Sequence, residues 1–153
     1  MKKIILFVII LLIASWIPVS KTDISNLEPI QAIFINKDGD NYIVKTDTDD
    51  LGIGKSIKEA VETMKTRCEK LIYLDTAQYL FVDQDARETI DDISQYLKDK
   101  VVICIWDGVG EIKSAAQYVR AHRIGIKIKD YFSNVQLPVI PDLTTGQQQK
   151  NSE

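Results

Sequence analysis

The run Val101-Val102-Ile103-Cys104-Ile105-Trp106 (VVICIW) is apolar at every position. A strand with one wet face alternates apolar and polar residues, so an unbroken apolar run predicts a central strand covered on both faces. Beyond it, Trp106-Asp107-Gly108 reads as a strand end meeting a turn. Glu111 to His122 then places Ile112, Ala115, Ala116 and Val119 on one helical face. Ile124 to Ile128 alternates and predicts an edge strand, and Pro138 and Pro141 punctuate an extended segment. On the other side, Asp85 to Lys98 predicts a helix capped by Asp85 and Glu88 that buries Ala86, Ile90, Ile93 and Leu97. Leu71 to Leu74 and Tyr79 to Val82 predict short strands. Ser56 to Cys68 carries Ile57, Ala60, Val61, Met64 and Cys68 at helical spacing, with Ser56 and Glu59 as a capping box. Ile30 to Asn36 and Tyr42 to Thr46 form a hairpin across Lys37-Asp38-Gly39-Asp40-Asn41. Asp47 to Asp50, followed by Gly52 and Gly54, reads as an acidic connection. Strands and helices alternate after Gly54, which predicts a single layered α/β domain with a mixed sheet and about three helices.

The 153 residues are 45% hydrophobic and 27% charged, with a net charge of -3. That is an ordinary globular mixture, long enough for a real core. The acidic balance and scattered lysines argue against nucleic-acid binding. Lys2 and Lys3 precede an apolar run from Ile4 to Ala14. A positive end followed by a run shorter than the ~20 residues of a comfortable span predicts an export leader, residues 1–20, either a signal peptide or a signal anchor. Residues 21–143 are then one exported domain, and the polar stretch 144–153 is expected to be a disordered tail. Cys68 and Cys104 could pair outside the cytoplasm. Their place on an apolar helix face and in an apolar strand predicts two buried free thiols instead.

No residue pattern predicts catalysis, a cofactor or a metal. Gly54-Lys55-Ser56 lies before a helix, but a phosphate loop needs a glycine where Asp49 stands, beside Asp50. Asp38, Asp40, Asn41, Asp47, Asp49 and Asp50 are split by a strand, with no acid closing a calcium loop. His122 lacks the partners of a zinc site or a catalytic triad and is read as a helix-end residue. Asp75, Asp83 and Asp85 flank the second short strand and are read as strand-end and cap residues rather than paired acids.

Ala14-Ser15-Trp16, a polar spacer, Ile24, Leu27, Ile30 to Asn36, and Asp38-Gly39-Asp40-Asn41-Tyr42-Ile43-Val44 follow one another in an order that resembles the start of the Ger(x)C family. Those proteins are lipoprotein subunits of spore germinant receptors. Gly54-Lys55-Ser56-Ile57-Lys58-Glu59-Ala60 resembles the family's helix start, and Lys70-Leu71 with Tyr79 to Val82 resembles its next strand pair. The resemblance covers residues 12 to about 85 by motif and the rest by element order. It implies a non-enzymatic, extracytoplasmic interaction domain whose partners are integral-membrane receptor subunits, either membrane-anchored or secreted, with the spore inner membrane as one candidate location. It brings no residue-level site. The family's lipobox has Cys where Leu12-Ile13-Ala14-Ser15 ends in Ser15, so anchoring is expected to rest on the apolar leader. Asp75 stands in place of the family's His, and the chain is expected to lack counterparts of the family's later domains. A secreted or envelope-associated small-ligand-binding domain unrelated to germination is the alternative expectation.

Overall fold

The computed structural model describes residues 27–68, 70–133 and 136–141; the leader, Ser15 and the polar tail lie outside the described residues. The strands are β1 (Leu27–Pro29), β2 (Ala32–Asp38), β3 (Asn41–Thr46), β4 (Leu51–Gly54), β5 (Leu71–Tyr73), β6 (Tyr79–Val82), β7 (Val102–Ile105) and β8 (Ile126–Lys127). The α-helices are α1 (Ile57–Arg67), α2 (Ile90–Ser94), α3 (Ile112–His122) and α4 (Ile128–Tyr131). Six strands form one sheet in the order β4-β3-β2-β6-β7-β8, while β1 and β5 pair separately. Pairing is antiparallel from β4 to β2, parallel from β2 through β6 to β7, and antiparallel at β8. The chain is therefore a single α/β domain with a mixed sheet.

Helices cover both faces, which explains the apolar runs in β6 and β7. On the first face, Ile33, Ile35, Val44, Leu80, Val82, Ile103 and Ile105 meet Ile57, Ala60, Val61 and Met64 of α1, together with Ile90 and Ile93 of α2. On the second face, Ala32, Phe34, Phe81, Cys104 and Trp106 meet Ala115, Ala116 and Val119 of α3. The buried Trp106 ring stands edge-on to Phe34, 5.0 Å between centroids, and to Phe81, 5.6 Å away.

The hairpin turns at Gly39-Asp40, with Gly39 at φ +59°, a backbone region that suits glycine. Lys37 and Tyr42 both reach Glu88, at 3.0 and 3.3 Å, fastening the hairpin to the turn after β6. At the start of α1, Ser56 Oγ accepts the Glu59 N–H at 3.2 Å. Glu59 Oε2 accepts from Lys55 N–H at 2.8 Å, one residue earlier than a standard capping box. Ser56→Ala is therefore expected to cost about 1 kcal/mol, seen as a lower urea midpoint at unchanged slope.

Several elements differ from the sequence reading. The segment after Gln84 is a 3-10 helix, Gln84–Thr89, followed by the five-residue α2, rather than one long helix. Thr89 Oγ1 donates to the Ala86 carbonyl at 2.6 Å, and such local bonding competes with the α-helical ladder. Ala86, Ile90 and Ile93 are still buried, as their spacing predicts. The edge strand read over Ile124–Ile128 shrinks to Ile126–Lys127, because Ile128 turns inward to begin α4. The strand read as Leu71–Leu74 pairs with Leu27–Pro29 instead of joining the main sheet. The connection read through Gly52 and Gly54 contains strand β4. Val139 bridges Ile105 in the Pro-punctuated segment.

Candidate functional site

The described residues roof the second face of the sheet only in part. Helix α3 lies over β2, β6 and β7 and buries their outward side chains. Over β3 and β4 no described element does the same. In register across those strands, Lys45 stands beside Leu51 and Ile43 beside Ile53. Leu51 and Ile53 are 36% and 38% exposed, Ile43 is half-buried and Lys45 is exposed. An apolar strip on an open sheet face, rimmed by charge, is the kind of surface that a protein partner covers.

The strip runs into a cleft of about 360 Å³ between β3 and the start of α3. Phe34 and Trp106 contribute aromatic surface to it. Lys45, Thr46, Asp47 and Asp49 line one side, and Gly108, Gly110, Glu111, Ile112 and Lys113 the other. Asp107 Oδ1 accepts the Val109 N–H at 3.1 Å and shapes the loop, while Gly108 packs against the Phe34 ring. Glu111 caps α3 without a side-chain hydrogen bond. The buried Trp106 indole N–H has no hydrogen-bond partner among the described residues. Two lysines against two aspartates and a glutamate give the cleft mixed charge.

Most of the sequence-derived candidates are not brought together. Asp38, Asp40 and Asn41 are exposed around the hairpin tip. Asp47 Oδ1 is engaged by the Gln31 and Ala32 N–H groups, at 3.0 and 3.2 Å, and so holds the start of β2. Asp49, at φ +68°, and Asp50 complete the turn from β3 to β4. Asp75 and Asp83 sit at opposite ends of β6, and exposed Asp85 lies in the 3-10 helix. His122 ends α3 with its Nδ1 2.9 Å from the Tyr118 carbonyl and its ring stacked on Tyr118. Lys55 N–H, in the segment resembling a phosphate loop, is occupied by the chain's own Glu59 carboxylate. Among the described residues, no three His, Cys, Asp or Glu side chains are grouped so as to hold a metal ion.

Cys68 and Cys104 form no disulfide with each other. Cys104 is buried with the second-face cluster, whereas Cys68 packs on the first-face core, so the sheet separates them. Burial pushes the Cys104 thiol up to about 12, which leaves almost no thiolate at neutral pH. A thiol reagent at pH 7.5 is expected to label half-buried Cys68 in the native protein, and Cys104 only after denaturation. Mass spectrometry reads this as one adduct becoming two.

The Cys68 thiol donates to Asp50 Oδ1 at 2.9 Å, and Thr48 donates to Oδ2 at 2.7 Å. Partial burial works to raise the Asp50 carboxyl, but the Cys68, Thr48 and Thr46 hydrogen bonds and the Lys70 charge outweigh it and hold the group below the usual range. A depressed carboxylate contributes stability above its unfolded value of 3.8 and loses it as pH falls through the lower native value. Asp50→Asn is expected to lose about 1 kcal/mol at pH 7, given the partial exposure of the site. In pH-dependent urea unfolding, that gap narrows below pH ~4 and closes in stronger acid.

Among the described residues, no helix is long and apolar enough to cross a membrane. No protein-family model matches this chain, and no curated protein or solved structure is significantly similar to it.

Proposed function

We propose that this chain is a non-enzymatic exported domain, held at the outer face of a membrane by its leader, that acts by protein contact. The observation that carries the reading is the strip of Ile43, Leu51 and Ile53, rimmed by Lys45, that no described element roofs, beside strands β2, β6 and β7 that are covered on both faces. The leader supports placement outside the cytoplasm: Lys2 and Lys3 stay behind while Ile4 to Ala14 enters the bilayer. The resemblance to the Ger(x)C family suggests which contact this is, namely with integral-membrane subunits of a spore germinant receptor. Ser15 removes the thioether-linked lipid of that family, so the leader carries the attachment.

An immunoblot of the tagged full chain across growing cells, culture medium and dormant-spore membranes tests the reading. Enrichment in spore membranes, with receptor membrane subunits recovered on the same tag, is the expected result. Recovery from growing cells or medium alone removes the germination role.

A second reading, an envelope-associated small-ligand binder, is favoured by the cleft beside Trp106. It expects a small ligand to raise the unfolding temperature and perturb Trp106 fluorescence. A thermal-shift screen in which no compound does either dismisses it.

A further inference from the structure

The lateral edge of the sheet at β4 has no strand beside it among the described residues. In an antiparallel ladder, successive residues turn their N–H and C=O groups to opposite sides. Thr46 N–H donates to the Asp50 carbonyl at 3.0 Å, and Gly52 and Gly54 continue the same parity opposite Val44 and Tyr42. Asp50, Gly52 and Gly54 therefore turn toward β3, and Leu51 and Ile53 turn their backbone groups outward. Between Leu51 and Gly54 there is no charge or proline to blunt the edge.

We propose that a second copy of this chain pairs its own β4 antiparallel to this one, about a two-fold axis through Gly52. Outward groups meet outward groups only when Leu51 and Ile53 of one copy face odd-numbered residues of the other. Among such registers, the one centred on Gly52 pairs both outward-turned residues of β4, Leu51 and Ile53, with those of the other copy. It sets Leu51 of each copy opposite Ile53 of the other, both side chains on the open face, where an apolar cross-strand pair is favourable. It also brings Lys55 of each copy to the end of the strand where Asp49 of the other stands, opposite charges at both ends. This self-complementarity points to a second copy rather than a foreign strand. Pairing would join the two open faces into one floor, β3-β4-β4-β3, doubling the strip offered to a partner. The inference rests on the edge geometry and is independent of the leader and of any role in germination.

The test uses the full chain carrying Leu51→Cys and Ile53→Cys together, beside each single variant and the parent with its native cysteines. Directly opposed residues lie about 5.5 Å apart between Cα atoms, within disulfide reach, whereas Leu51 of one copy and Leu51 of the other are two residues out of register and too distant. After mild oxidation, the double variant is expected to run at twice the 17.4 kDa monomer mass, with roughly tenfold less dimer in the single variants and parent. Protection of Cys104 from labelling confirms that each variant is folded. No dimer from the folded double variant overturns the proposal. Equal dimer from a single variant, or adducts only with a chain of another mass, overturns it too. Fractionation reads the proposed function separately, so failure of one leaves the other standing.

Discussion

Gly52→Ala is expected to be the most damaging methyl group that can be added to this chain. A Cβ at that position would overlap the Ala60 carbonyl oxygen of α1 and lie 2.7 Å from Met64 Cβ. Neither is the far end of a long side chain that can swing away. The helix has to lift off the sheet, and Ile57, Val61 and Met64 beneath it are among the fully buried residues. Overpacking in a tight core costs 1–3 kcal/mol, and an obstruction by backbone belongs at or above the upper end, about 3 kcal/mol. That is a large share of a small domain's stability, so the variant is expected to unfold at a much lower urea concentration or to fail to accumulate. Gly39→Asn is the control: nothing lies within 4 Å of the added Cβ, and Asn tolerates the positive φ, so its loss stays below about 1 kcal/mol. Equal midpoints for the two variants would mean that α1 does not sit on β4 as described.

Trp106→Ala is expected to cost about 3–5 kcal/mol, the range for emptying a large aromatic site in a core. The side chain is 1% exposed and its ring is held edge-on by Phe34 and Phe81. Trp106→Phe separates packing from the indole N–H. Phenylalanine keeps an aromatic face toward both neighbours and removes a buried donor that has no partner among the described residues. An unsatisfied buried donor is itself costly, so part of the lost packing is returned, and a loss nearer 1 kcal/mol is expected. Urea unfolding of the two variants checks the order. If Phe were as damaging as Ala, the indole nitrogen would be making an interaction that its present surroundings do not provide.

The elements that could be read from the sequence are those whose neighbours impose a simple pattern. VVICIW announces a strand covered twice because α1, α2 and α3 leave neither face wet. α1 and α3 announce themselves because each has one buried stripe. Strand β4 escaped because its pattern is Leu-Gly-Ile-Gly: the alternation is present, but glycine is a poor strand former and reads as a connector. The glycines are there for α1, which packs too closely for any side chain. That close approach is a tertiary fact, invisible until Ala60 and Met64 are placed across from Gly52 and Gly54. The same omission hid the candidate surface, since Leu51 and Ile53 belong to β4. Period-two spacing of Leu51 and Ile53 was the signal that could have found it. The Asp85–Lys98 segment failed differently. Its buried positions were legible, but periodicity alone does not register that Thr89 bonds back to Ala86 and tightens the turn.

The proposed role requires that the chain be exported with its domain outside. The most direct measurement is protease accessibility of the C-terminally tagged full chain in intact protoplasts. A detergent-lysed sample and a variant lacking residues 1–20 serve as comparisons. The account predicts that the full chain pellets with membranes and is degraded by external protease before lysis, while the shortened chain stays soluble and protected until lysis. A full chain that is soluble and protected in intact protoplasts would contradict it.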